Sequence, residues 1–233
     1  MGPRDFHLGA LEAVCVDKLK CGSLQTCGSP TVHNPKEYFA AYEQVLANLP
    51  YADIDKAIAE IRAAYGRGSD IFTFGNGGSA ALATHLACDL GKGTIIGQNG
   101  HKRFRVLALT DNVPLITAWA NDVCYEQIFA QQLQNFLVPG DLAFAISASG
   151  NSPNVLRGLE LARASGARTV GLTGFKGGKM KGLCDVCVIL PSDNMQIIED
   201  FHLSVTHAIT SAIRQKVFKG IQTQPLAVTS MAD

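Results

Sequence analysis

Charge is scarce in this chain and balanced where it occurs. Lys and Arg number 20, Asp and Glu number 20, and together they make up 17% of the 233 residues, well below the quarter usual for soluble domains. With zero formal net charge and no long basic run, the chain lacks the electrostatic footprint of a nucleic-acid binder. Long apolar runs are missing too. None approaches the roughly 18 residues that a membrane-spanning helix needs, so no membrane partner is expected. The N-terminal stretch holds basic residues but no continuous apolar core ahead of a cleavage site, and no secretory signal is read there. There is no internal repeat and no low-complexity segment. Cysteine is less scarce: there are seven, an odd number. Cys15, Cys21 and Cys27 lie near the N-terminus, Cys88 and Cys124 in expected helices, and Cys184 and Cys187 at the start of an expected strand. The Cys-Asp-Val-Cys pair has zinc-like spacing but no second pair to match it, so it reads as two small residues entering a buried strand. Free thiols in a reducing cytoplasm are expected.

What is present is apolar: 47% of the chain is hydrophobic, which suggests surface buried between subunits. Residues 1–34 show no sustained periodicity and read as a tail. Residues 35–220 form one domain, followed by a short C-terminal tail, 221–233. Pro35 opens a helix with Phe39, Tyr42, Val45, Leu46 and Leu49 at helical spacing, ended by Pro50. A second helix carries Ile54, Ile58, Ile61 and Tyr65, stopped by Gly66 and Gly68. Then five short apolar runs read as strands: Ile71–Phe74, Val106–Thr110, Leu142–Ser147, Thr169–Thr173 and Val186–Leu190. Each is nearly continuous, as in strands covered on both faces. Helical patterns fall between them at about Ser79–Leu90, Val113–Phe136 (in two pieces) and Pro153–Ser165. A long last helix runs from near Asn194 to about Lys219, with Phe201, Val205, Ile209, Ile213 and Val217 every four residues. The alternation predicts an α/β fold, a three-layer αβα sandwich on a five-stranded parallel sheet, with extra N-terminal helices. The apolar stripes of the end helices are expected to pack against another subunit.

In such sheets ligands bind at the carboxyl ends of the strands. Two of those ends carry loops suited to an anion. Gly75-Asn76-Gly77-Gly78-Ser79 precedes a helix, so its backbone N–H groups can face a ligand. Ser147-Ala148-Ser149-Gly150-Asn151-Ser152 offers three hydroxyls and an amide around one glycine, again at a helix N-terminus. Capping by Ser152 would need only one hydroxyl, so the density of donors points to phosphate. A dinucleotide site is the competing idea, because Gly75, Gly77 and Ala80 satisfy G-x-G-x-x-A. That pattern also needs an acidic residue about 20 residues on. Asp111 is much farther, and the serine loop would have no role, so no nucleotide cofactor is expected.

His85 and Asp89 are four residues apart on one helical face. The last helix holds Glu199, Asp200, His202 and His207. Glu199 and His207 are eight apart, roughly 80° around the axis, so both could lean into one cleft. His85, Asp89, Glu199 and His207 could form a tetrahedral Zn²⁺ site or a metal-free acid/base cluster.

The segments "GNGGS", "SASGNS", "GLTGFKGGKM" and "IIEDFHLSVTH" resemble the sugar isomerase (SIS) superfamily and, within it, the phosphoheptose isomerase family. The similarity covers roughly Pro35 to Lys219. It implies the SIS fold with flavodoxin-like strand order, and conversion of D-sedoheptulose 7-phosphate to D-glycero-D-manno-heptose 7-phosphate. It also implies a homotetramer with sites at subunit interfaces. By the resemblance Asn76, Gly77, Gly78 and Ser79 adjoin substrate, with Asn121 and Asp122. Ser147, Ala148, Ser149 and Ser152 hold the phosphate. His85 matches a zinc-binding histidine and His207 a catalytic one. Three positions depart from the family pattern: Asp89 stands where the family has its catalytic Glu, Glu199 where it has a Gln that contacts substrate and metal, and Ala148 where it has Thr. An aldose–ketose isomerisation through an enediol needs one base near the carbons and one acid near the oxygens, roles that fall to Asp89 and His207. Some SIS proteins are instead non-catalytic regulators or tetrameric scaffolds, and others isomerise different phosphosugars.

Overall fold

The computed structural model describes residues 32–95 and 102–222, with side chains through Lys216. Most of the N-terminal tail with its three cysteines, Val217 as a packing residue and the end of the C-terminal tail lie outside the described side chains.

Helix α1 (Pro35–Ala47) starts where sequence chemistry places it. The Asn34 side chain accepts from the Glu37 N–H at 3.0 Å, while Glu37 reaches back to the N–H of His33 at 2.8 Å. Reciprocal bonds of this kind satisfy donors that the first turn leaves unpaired. Helix α2 (Tyr51–Arg67) passes through Gly66 and stops only at Gly68, whose φ of 78° makes a left-handed cap.

The sheet comprises β1 (Asp70–Gly75), β2 (Arg105–Ala108), β3 (Leu142–Ile146), β4 (Arg168–Thr173) and β5 (Val186–Ile189). All pairings are parallel, in the order β2-β1-β3-β4-β5. Between them run α3 (Gly78–Cys88), α4 (Val113–Asp122), α5 (Ile128–Phe136) and α6 (Pro153–Ala164), and α7 (Met195–Gln222) closes the chain. One apolar cluster packs α2, α3 and α7 on one face of the sheet, through Ile58, Ile61, Leu86, Phe201, Val205 and Ile209. The other packs α5 and α6 on the opposite face, through Phe74, Phe129, Leu133, Val155 and Leu159. That is the three-layer αβα sandwich that the alternation predicts.

The structure alters three expectations. Strand β2 is an edge, so it is half open: Leu107 is 45% exposed. Helix α3 ends at Cys88, and Asp89–Gly93 continues as a π turn. The stripe of α7 from Phe201 to Ile213, and that of α2, are covered within the subunit. The apolar surface left open lies instead on α1 (Phe39, Leu46) and around α4 (Val113, Val123). The Cys184 and Cys187 thiols are free, and both lie against Gly171. A hydrogen bond between them is the main cause that raises the Cys184 pKa and lowers that of Cys187.

Strand order positions the site. The chain leaves β1 toward β2 on one side, and β3 lies on the other, so the topological switch falls between β1 and β3. Open sheets of this class bind ligands at that crevice. The last residues of the two strands, Gly75 and Ile146, are paired in register. The two glycine- and serine-rich loops therefore emerge side by side.

Candidate active site

The first loop is shaped by its glycines. A Cβ on Gly75 would stand 2.7 Å from the Ile146 carbonyl oxygen and 2.8 Å from the Ser79 Cβ. No side chain fits where strand and helix approach so closely. Gly77 has a φ of 55° and directs the chain into α3. The carboxylate of Glu199 lies against Gly78, 3.4 Å from where a Cβ would be. The N-terminus of a helix favours a negative group there.

The second loop is held from behind. Gly150 has a φ of 63°, and a Cβ on it would stand 2.2 Å from the Gly177 oxygen. Backbone thus packs on backbone, and "GLTGFKGGKM" serves as the buttress. Met180 N–H donates to the Gly150 carbonyl at 3.0 Å, and Lys179 N–H to the Asn151 side chain at 3.0 Å. Ser152 occupies the N-cap position of α6, yet its side chain makes no capping bond. Its hydroxyl faces that of Ser147 instead, at 3.1 Å. The expected share of helix capping is therefore absent, and two hydroxyls stand together at the helix N-terminus. Ser149 Oγ accepts from the Asn151 N–H at 3.2 Å, and Ala148 is buried beneath.

An amide pair joins the two loops. Asn76 and Asn154 exchange reciprocal 2.8 Å bonds, and the Tyr125 hydroxyl donates to Asn76 at 3.1 Å. Asn154 is 1% exposed. Sequence reasoning missed Asn154 and Tyr125, because contacts across 78 and 49 residues leave no local signal. Asn121 and Asp122, by contrast, are exposed at the end of α4 and bond each other at 2.8 Å. They line neither of the hollows described below.

Helices α3 and α7 bring three of the four expected ligating groups together. His85 Nε2 and His207 Nε2 are 3.2 Å apart. Asp89 presents one oxygen to each: Oδ1 is 3.7 Å from His85 and Oδ2 is 3.8 Å from His207. Among the described residues these three form the group able to hold a metal ion. One ligand atom from each lies within 4.8 Å of the other two, close enough for all three to reach a single ion at the roughly 2.0–2.2 Å usual for zinc after small side-chain shifts. All three side chains are partly open to solvent, leaving a face for another ligand. Glu199 stands outside this group.

The imidazole pair stands between two hollows. One, of about 230 Å³, is lined by Gly78, Ser79 and His85 from α3 and by Glu199, His202 and Leu203 from α7. The other, of about 190 Å³, is lined by Asp89, Gly93, His207, Thr210, Ser211 and Arg214. Arg214 escaped sequence analysis because one cation among several in the second half of α7 has no distinguishing pattern. Asp200 has a structural role: it accepts from the Tyr38 hydroxyl at 2.5 Å and ties α1 to α7. Asp111, the acid of the dinucleotide idea, accepts from Thr84 on α3.

Comparison with known proteins gives the family. The sequence profile of the SIS domain family matches residues 37–174. A phosphoheptose isomerase of Trichlorobacter lovleyi is 36% identical, over 78% of this chain and 91% of its own length. A probable phosphoheptose isomerase of Thermoplasma acidophilum is also 36% identical, over 78% and 98%. The solved structure of phosphoheptose isomerase from Neisseria gonorrhoeae superposes with a TM-score of 0.71 at 26% identity, covering 77% of this chain and 96% of that one. A profile match over more than half of the chain, with identities of this size over most of it, means that the chain belongs to the SIS domain family and, within it, to the phosphoheptose isomerases.

Proposed function

We propose that the protein interconverts D-sedoheptulose 7-phosphate and D-glycero-D-manno-heptose 7-phosphate through an enediol. The observation that carries this is the convergence of His85, Asp89 and His207, with His85 lining a cavity shared with Gly78 and Ser79 of the first anion loop. A phosphosugar-binding regulator or scaffold would need the loops but not the triad.

The phosphate is held by Ser147, Ser149 and Ser152 with the N–H groups of α6, so binding energy at one end of the substrate orients the other. Ala148 contributes backbone only. Asn76, braced by Asn154 and Tyr125, and the Gly77-Gly78-Ser79 backbone adjoin the sugar chain, with Glu199 across the cavity. Asn121 and Asp122 reach substrate only where subunits meet. Asp89 takes the proton from C1 and returns it to C2. His207 moves the proton between the two oxygens; its ring stands 3.2 Å from His85 and 3.8 Å from the Asp89 carboxylate. Zn²⁺ fits His85, Asp89 and His207, and when bound it would polarise the substrate carbonyl. The protein is a cytoplasmic homotetramer in this reading.

The test follows sedoheptulose 7-phosphate by NMR in D₂O, with chelator and with added Zn²⁺. The expected product is the aldose, carrying solvent deuterium at C2. The variant Asp89→Asn should lower kcat by about 10²–10⁴-fold, the range for losing a positioned acid/base group, while phosphosugar binding stays within a few-fold. No conversion under any metal condition would sink the isomerase reading. Normal turnover by the Asn variant would move the base elsewhere.

A further inference from the structure

His202 has no part in the roles above, yet its surroundings require one. It is 1% exposed, and neither ring nitrogen makes a well-formed hydrogen bond; the Thr173 backbone comes near enough to hold one of them only weakly. Buried polar atoms are almost always paired, and an orphaned one calls for an explanation. The ring also lines the cavity between α3 and α7, beside Glu199 and facing the first turn of α3. Burial lowers its pKa to about 4, and the nearby Thr173 backbone opposes this only in part. The ring is therefore neutral at working pH. A neutral imidazole has one donor and one acceptor, which matches a sugar hydroxyl, itself able to give and to take.

The position fits that use. Thr173 ends β4, and its hydroxyl donates to the Ala148 carbonyl inside the serine loop at 3.1 Å. His202 therefore sits between the element holding the phosphate loop and the cavity bordered by His85. A phosphorylated sugar reaching from the serine loop to the triad has several hydroxyls along its length.

We propose that His202 is a substrate-binding residue that makes a hydrogen bond through one ring nitrogen to a hydroxyl of the phosphosugar chain and helps set which sugar the site accepts. This rests on the isomerase reading for the identity of the sugar, though not for the contact itself. A purely structural histidine is stabilising because its nitrogens are bonded. An orphan kept for a ligand is the reverse, because replacing it with an apolar ring of similar shape removes an unpaired polar group.

The experiment pairs two readouts. Without ligand, His202→Phe should melt at or above the wild-type temperature. With sedoheptulose 7-phosphate it should lose about ten-fold or more in kcat/KM, and His202→Asn, which keeps a donor and an acceptor, should recover part of that. In ¹⁵N-histidine spectra of the wild type, the His202 ring nitrogens should shift when sedoheptulose 7-phosphate is added, or fructose 6-phosphate if that sugar binds instead. Inorganic phosphate alone should leave them in place. A destabilised Phe variant with unchanged kcat/KM, or ring signals indifferent to every sugar phosphate tried, would overturn the proposal. Wild-type protein that binds phosphosugar and shifts His202 but turns nothing over would instead refute the isomerase reading and leave the contact standing.

Discussion

His85 and His207 lie 122 residues apart in sequence, and their Nε2 atoms are 3.2 Å apart in space. The residue types that do chemistry were legible in the sequence because an acid and two imidazoles in apolar, weakly charged helices stand out. Their partners were not. Ser152 looks like an N-cap by position, and only the structure shows its hydroxyl turned to Ser147. His202 sits between Phe201 and Leu203, and a sequence cannot say that its nitrogens go unpaired. That burial has a consequence in pH. The unfolded chain takes up a proton on this ring near 6.5, and the folded chain only near 4. Between those values the unfolded state binds more protons, so the contribution to stability is complete above about 6.5 and is lost as pH falls toward 4. The loss is on the order of 3 kcal/mol. Urea unfolding at pH 7 and pH 4.5 should show wild type losing about 2–3 kcal/mol more than His202→Phe over that interval, with groups common to both proteins cancelling. Equal losses would mean that the ring can accept its proton while folded.

The helices and strands were legible because they repeat a period over many residues. Ile71–Phe74, broken only by Thr73, and Leu142–Ile146 are apolar runs, and the structure buries both. Single-residue departures from the period were not legible. The π turn at Asp89–Gly93 adds one residue to the hydrogen-bonded loop, and the Gly and Lys of that segment read as ordinary loop chemistry. The turn begins at Asp89, so the change of helical pitch coincides with the acid of the triad. The loops depend on glycine in two different ways, and the difference can be measured. Gly77 has a φ of 55° with nothing within 4 Å of an added Cβ, whereas Gly150 has a φ of 63° and a backbone oxygen 2.2 Å away. Gly77→Ala should therefore cost only the backbone strain of φ 55°, ψ −122°, a conformation that residues with a Cβ rarely adopt, about 1–3 kcal/mol. Gly150→Ala adds a backbone clash that must push the buttress loop away, for a total of roughly 3–5 kcal/mol. Denaturant midpoints give the order directly. If Gly77→Ala proves the more costly of the two, the backbone-on-backbone contact between the serine loop and Gly177 is not what fixes the second loop.

At the scale of the molecule, the distribution of apolar surface is what a subunit of a larger assembly would show. The 47% hydrophobic content led to the expectation of subunit contacts on the stripes of the end helices, and two of those stripes are covered within the subunit. Period alone marks an apolar stripe without saying which neighbour covers it. The stripes of α2 and α7 face the subunit's own sheet. Helix α1 leaves Phe39 62% exposed and Leu46 49% exposed, and no residue of α4 is buried although its sequence is mostly apolar. Tyr125, whose hydroxyl reaches Asn76, is more than half exposed, as are Val113 and Val123 nearby in the chain. Contact there would press on the brace between the two anion loops, and would give Asn121 and Asp122 a route to substrate that a lone subunit does not offer. Light scattering should therefore give a particle of about four times the 24.8 kDa chain, with a melting temperature that rises with protein concentration, as expected when assembly stabilises the folded state. Phe39→Asp and Val123→Asp place a charge on each open face without touching a buried side chain. Each should lower the particle mass, and Val123→Asp should also lower kcat/KM, because the brace at Tyr125 loses its cover. A wild-type particle of single-chain mass at micromolar concentration, with full isomerase turnover, would show that the open faces are ordinary solvated surface and that the site is complete in one subunit.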